Sequence, residues 1–133
     1  MDMNTRDNQC ANAYSSSQLA YLGDAVLEVM VRRQLVLSHA PHPSETALSY
    51  VTAAAQSDAL ERILPHLTEE EEAIYRRARN SVHANVPKRT TVAQYRRATG
   101  FEALFAYLHL MGDTDRMECL FRLAYPDIMG TEP

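Results

Sequence analysis

The chain has 133 residues, 46% of them hydrophobic, with 4 Gly, 2 Cys and no Trp. That is the length of one ordinary domain, with enough apolar content for a core. Cys10 and Cys119 are too few and too far apart for a disulfide framework or a zinc pattern, which fits a reducing compartment. The net charge of −4 argues by itself against a nucleic-acid binder. Its distribution argues the other way. Arg76, Arg77, Arg79, Lys88, Arg89, Arg96 and Arg97 fall in one window that holds no Asp or Glu. The window carries +7, so the remainder carries −11: an acidic protein with one concentrated basic segment.

In chain order, residues 1–14 are polar and lack the apolar stretch of a signal peptide. They read as a flexible tail. No apolar run approaches the roughly 20 residues that cross a bilayer. The expectation is a soluble cytoplasmic protein with no membrane partner. Ser17 is the expected N-cap of a first helix over about 18–37, in which Leu19, Leu22, Val26, Val29 and Met30 recur at helical spacing. "HAPHPS" interrupts the chain with two prolines. Ser44 then caps a second helix over about 45–63, kinked near Gln56 and ended by Pro65. Thr68 with Glu71 forms a capping box for a third helix that runs to about Arg79.

Residues 80–90, "NSVHANVPKRT", have no helical period and read as a donor-rich loop. Thr91 caps a short helix through Ala98, and "FEALFAYLHLM" makes another that stops at Gly112. A last helix starts at Asp113 or Thr114 and ends before Pro126. The expected fold class is all-α, with five to seven helices and no significant sheet. One domain spans 15–128, followed by a short tail over 129–133.

Most acids have an ordinary explanation. Glu28 precedes Arg32 by four residues, and Asp58 precedes Arg62 likewise, the favoured order for a helical ion pair. Glu69 to Glu72 occupy a first turn, where negative charge suits the helix dipole. Asp24 and Glu102 differ. The helical neighbours of Asp24 are Ala20, Tyr21, Leu27 and Glu28; those of Glu102 are Ala98, Thr99, Phe105 and Ala106. None is basic. A carboxylate in such a helix is unfavourable unless something compensates it.

Either acid alone reads as a polar stripe. Two on separate apolar helices point to a shared site. Carboxylate oxygens select a hard cation, Mg²⁺ first, and such an ion can orient water and stabilise charge on a phosphate. A basic loop nearby would hold a phosphate backbone. Phosphodiester hydrolysis is the chemistry these features suggest together. His39 and His42 straddle Pro41 and lack helical spacing, and His66 and His109 read as packing residues. His83 lies in the basic window, within reach of a phosphate. No P-loop, G-x-S-x-G or G-x-G-x-x-G is present.

The order and spacing of several segments resemble the ribonuclease III family over about residues 18–125. "YLGDAVLE" is similar to its signature helix and "TGFEAL" to its second metal-binding helix. "TAAAQSDAL", "LTEEEEAI", "RARN", "PK" and "YRRATGFEALFAYL" match in turn. With no room for the usual double-stranded-RNA-binding domain, the chain resembles the mini subgroup, a catalytic domain alone.

The resemblance implies an all-α endonuclease fold and a Mg²⁺-dependent homodimer. It implies cleavage of double-stranded RNA to 5′-phosphate and 3′-hydroxyl ends, and maturation of large-subunit (23S) ribosomal RNA precursors. Asp24 and Glu102 match its catalytic, metal-holding acids, and Tyr21 matches an aromatic of the dimer interface. Gly23 would let another helix or subunit approach. Arg77, Arg79, Asn80, His83, Lys88, Arg89 and Arg96 are the expected RNA contacts, because duplex RNA is read largely by shape and backbone. Where ribonuclease III has further acids, this chain has Ser17, Ala20 and Thr99, which is typical of the mini subgroup. Ser44, Glu45, Ala54 and Val82 depart from the mini pattern of basic residues, with Arg89 and Arg97 to offset them. The rival reading is a non-catalytic RNA-binding helical domain in ribosome assembly, which has no need of both lone acids. A plain helical interaction protein would not need the acid-free basic window.

Overall fold

The computed structural model describes residues 13–82 and 86–129. Seven α-helices, and no strand, are found among them: α1 (Ser16–Leu37), α2 (Pro43–Val51), α3 (Ala53–Ile63), α4 (Glu69–Asn80), α5 (Val92–Leu110), α6 (Thr114–Ala124) and α7 (Pro126–Met129). The all-α expectation holds. Most of the expected tails, Cys10 and His83 lie outside the described residues.

Helix α5 is the central element. From Ala98 to Leu108 its residues are buried almost without interruption, and it packs against α1, α3 and α4. A helix that is apolar nearly all round belongs inside a core. Phe101, Leu104 and Phe105 are fully buried there with Leu19, Leu27, Val31, Leu60, Ile63 and Leu120 from the surrounding helices. Phe101 and Phe121 also contact the Tyr125 ring, whose hydroxyl donates to the Tyr50 carbonyl at 2.8 Å.

Several local expectations are corrected. The cap of α1 is Ser15, not Ser17; its hydroxyl accepts from the Gln18 N–H while the Gln18 side chain accepts from the Ser15 N–H. That reciprocal pair needs Gln at the third helical position, which Ser17 lacks. The segment from Ser44 to Ile63 is two helices broken at Thr52, whose extended backbone and hydroxyl cap α3. Helix α2 begins at Pro43, after a His42 that makes no side-chain cap; proline's fixed φ is already helical at a first position. The two helices expected over 91–111 are one. Gly100 is not a break in it: a Cβ there would lie 2.4 Å from Cδ2 of Tyr75, so the glycine admits α4 against α5. Pro126 both ends α6 and starts α7.

The Thr68–Glu71 capping box forms as expected, and Glu71 does more than cap. Its buried carboxylate receives Nε of Arg116 at 2.9 Å and Nη2 at 2.8 Å. The same guanidinium donates to the His66 carbonyl at 2.7 Å. Burial alone would raise the Glu71 pKa, but the hydrogen bonds and charge of Arg116, with the Thr68 N–H, hold it below the usual range. A group depressed in this way contributes stability above its unfolded pKa and loses it as pH falls through the folded value. Arg116→Ala leaves that carboxylate buried and unpaired. It is expected to lower stability by about 3 kcal/mol at pH 7, read from urea melts, with the deficit shrinking at acidic pH as Glu71 protonates.

Candidate active site

Helices α1 and α5 cross in contact at one point, and the sequence marks it with Gly23. A Cβ at that position would lie 1.7 Å from the Glu102 carbonyl oxygen and 2.4 Å from its carbonyl carbon. Only a residue without a side chain lets the two backbones approach so closely. Of the two approaches Gly23 was expected to allow, another helix or another subunit, the structure shows the first. The glycine is buried inside the subunit, and the element it admits is the chain's own α5.

The next residue along α1 is Asp24, and it shares a cavity of about 410 Å³ with Glu102. Helix α1 also contributes Ser17, Ala20 and Tyr21, while Tyr95 and Thr99 lie on the same face of α5 as Glu102. Ser81 and Val82, at the end of α4, complete the wall. The Thr99 hydroxyl donates to the Tyr95 carbonyl at 2.9 Å, which leaves its oxygen able to accept.

The electrostatics of Glu102 set it apart from the ion-paired acids. Glu28 pairs with Arg32 at 3.1 Å, Glu61 with Arg97 at 2.8 Å and Glu118 with Arg33 at 3.7 Å; Glu72 pairs with Arg76. Asp24 and Glu102 have no ion-pair partner among the described residues. Burial, and then the charge and hydrogen bonding of Asp24, push the Glu102 pKa up to about 8. Two carboxylates meeting in a partly dry site resist a second negative charge. A proton relieves the repulsion in the metal-free protein, and a divalent cation would relieve it as well.

The donors suit a hard, water-retaining ion: two carboxylates and nearby hydroxyls. Among the described residues no group of three or more His, Cys, Asp or Glu side chains could hold a metal, so a softer, fully ligated ion has no cage.

The basic residues divide into several groups. Arg79, Asn80 and Arg96 line a second cavity between α4 and α5, together with Arg76 and Arg97. Lys88 and Arg89 are exposed in the turn before α5, where Arg89 has φ 69°. Arg77 donates to the Tyr14 carbonyl at 3.3 Å. Tyr21 is 86% exposed, on α1 beside the first cavity. The expected Asp58–Arg62 pair does not form. Arg62 donates to the Ala124 carbonyl at 2.8 Å, one of the acceptors left without an intrahelical partner at the end of α6. Tyr95 and Ser81 were not singled out from the sequence. The spacing of Tyr95, Thr99 and Glu102, four and three residues apart, would have put all three on one helical face.

An all-α fold that presents two acids across a glycine contact is the class these helices and this cavity define. The Ribonuclease III domain family model matches residues 17–113, and the chain belongs to the ribonuclease III family of endoribonucleases. It is 40% identical over 109 residues to the Mini-ribonuclease 3 of Symbiobacterium thermophilum, covering 80% of this chain and 84% of that one. It is 39% identical over 124 residues to the Mini-ribonuclease 3 of Streptococcus pneumoniae, covering 90% and 97%. The crystal structure of protein FN1578 from Fusobacterium nucleatum is similar in fold, with a TM-score of 0.78 and 29% identity over 86% of this chain and 96% of that one. No described helix is long and apolar enough to cross a membrane.

Proposed function

We propose that this chain is a cytoplasmic, Mg²⁺-dependent endoribonuclease for double-stranded RNA, with the precursor of 23S ribosomal RNA as its natural substrate. The observation that carries the reading is the pairing of Asp24 with Glu102 in one cavity, unneutralised by any cation of the described chain. Both residues would hold the ion, which when bound supplies an activated water and offsets charge building up on the phosphate. The protein does the rest. Gly23 fixes how far apart the two acids are held. Glu102 gives up its proton as the ion enters. Thr99 and Ser17 would offer hydroxyl oxygens to water held in the cavity. Attack on phosphorus with departure of the 3′-oxygen leaves a 5′-phosphate and a 3′-hydroxyl.

Lys88 and Arg89, exposed in the turn before α5, together with Arg77, Arg79, Asn80, His83 and Arg96, would grip backbone phosphates without reading bases. A duplex has two strands, and a homodimer would offer one cavity to each. Tyr21 at 86% and Val29 at 66% exposure are apolar side chains that α1 offers to that contact. The single domain over residues 15–128 is then the catalytic unit.

The reading is tested with a long RNA duplex and the corresponding single strand, in Mg²⁺ and in EDTA. Cutting confined to duplex with Mg²⁺, with product 5′ ends that ligate without added kinase, is the expected result. A duplex left intact across a range of salt refutes it.

A further inference from the structure

Among the described residues, no Lys, Arg or His lines the cavity that holds Asp24 and Glu102. Its other polar side chains are all hydroxyls: Ser17 and Tyr21 from α1, Ser81 from the end of α4, and Tyr95 and Thr99 from α5. Resting on the proposed nuclease reading, we propose that Tyr95 and Ser81 bind a ribose 2′-hydroxyl beside the cut, and that Tyr95 thereby sets a preference for RNA over DNA.

Hydrogen-bonding capacity is the first argument. A hydroxyl has one proton to donate and two lone pairs to offer. Ser81 donates its proton to the Ala78 carbonyl at 2.8 Å, and Thr99 donates to the Tyr95 carbonyl at 2.9 Å. Both therefore meet a ligand as acceptors. The half-buried Tyr95 phenol makes no hydrogen bond among the described residues, so its proton is free. A phosphate oxygen only accepts, and finds no donor at Ser81. A ribose hydroxyl both donates and accepts, so it can use Tyr95 and Ser81 together.

Position is the second. Tyr95 precedes Glu102 by two helical turns, about 10 Å along the axis, on one face of α5. Side chains on a helix lean toward its N-terminus, which carries the phenol further from the acids. It is thus placed away from an ion held by Asp24 and Glu102, yet it lines the same cavity. A strand whose phosphate sits at the acids brings a neighbouring sugar to it. Charge is the third. Arg79 and Arg96, which suit phosphates, line the other cavity. The wall around Tyr95 is neutral apart from the two acids, and so is the 2′-hydroxyl, the group by which a protein tells RNA from DNA.

The measurement is a double-mutant cycle between enzyme and substrate. RNA duplexes carry a single 2′-deoxynucleotide, stepped through the positions on either side of the cut, and kcat/KM is compared for wild type and Tyr95→Phe. At one position the deoxy sugar should slow wild type about fivefold, the effect of one neutral hydrogen bond. Tyr95→Phe should slow cleavage of the all-RNA duplex by as much. At that position the two changes together should cost no more than either alone, and at the others they should multiply. A purely structural role for Tyr95 would slow every duplex by the same factor. Multiplicative losses at every position therefore overturn the proposal and leave Tyr95 to water or packing. If Tyr95→Phe melts well below wild type, Ser81→Ala takes its place in the cycle, with the same outcomes. If wild type cuts nothing, the cycle is read as binding in EDTA, by fluorescence anisotropy, of an all-RNA duplex against an RNA–DNA hybrid. A preference for RNA that Tyr95→Phe abolishes keeps the sugar site while the nuclease reading falls. A preference that Tyr95→Phe leaves intact, or none at all, rejects the sugar site as well.

Discussion

Glu102→Gln is expected to lower the rate of duplex cleavage by at least about 10³-fold while making the metal-free protein more stable. On the proposed mechanism, the loss follows from removing one of the two carboxylates that would hold the cation. The gain follows from the same burial that makes the site reactive. The Glu102 pKa rises to about 8 through burial and the neighbouring Asp24, against an ordinary carboxylate value when unfolded. A raised folded pKa contributes stability that is fully present below the unfolded pKa and is lost as pH climbs through the folded one. Wild-type stability in EDTA should therefore decline between about pH 4.5 and 8. Glutamine has no charge to bury and can donate its amide to Asp24, so the variant escapes the decline by up to about 3 kcal/mol at pH 7. Melts in EDTA at pH 5 and pH 8 measure it: the variant should gain several degrees on wild type at pH 8 and little at pH 5. A variant that melts below wild type at pH 8 contradicts this account of the site.

Gly23→Ala should damage fold and activity together. The new methyl cannot sit 1.7 Å from the Glu102 carbonyl oxygen, and both the atoms that clash are held in helix interiors. The helices must separate by more than 1 Å at the point where the acids are positioned. Overpacking against backbone is expected to cost at least about 3 kcal/mol and roughly 10 °C in Tm for a domain of this size. Any folded fraction should cleave about 10²-fold more slowly, because the two acids proposed to hold the cation are displaced from each other. Gly112→Ala is the matched control. Its φ of 71° disfavours a side chain, yet nothing lies within 4 Å, so the cost should stay near 1–2 kcal/mol with cleavage unchanged. Equal effects of the two substitutions would remove Gly23 from its place at the helix crossing.

What could be read from the sequence depended on the range of the interaction. The Thr68–Glu71 box, the Glu28–Arg32 pair and the stop at Gly112 are set by residues within four positions, and each was legible. Asp24 and Glu102 stood out for the same local reason, since neither has a basic neighbour at helical spacing. That α1 and α5 bring them together is a tertiary fact, and so is the role of Gly23, which reads locally as a weak helix residue. Gly100 misled in the same way: it resembles a boundary until Tyr75 is placed against it. Arg62 had a suitable local acid in Asp58 and took the Ala124 carbonyl instead. Thr52 was legible as a cap in principle, but the alanines that follow it, Ala53 to Ala55, hid the break between α2 and α3. The family resemblance supplied what locality could not, an order of motifs over most of the chain.

The central claim is that Asp24 and Glu102 form one cation site. Calorimetric titration of the protein with Mg²⁺ at pH 7, in two buffers of different ionisation enthalpy, tests it most directly. With the Glu102 pKa near 8, binding should release about one proton per ion, the release should fade above pH 9, and Glu102→Gln should abolish both binding and release. Binding with no proton release at pH 7, or binding that survives Glu102→Gln unchanged, would contradict it.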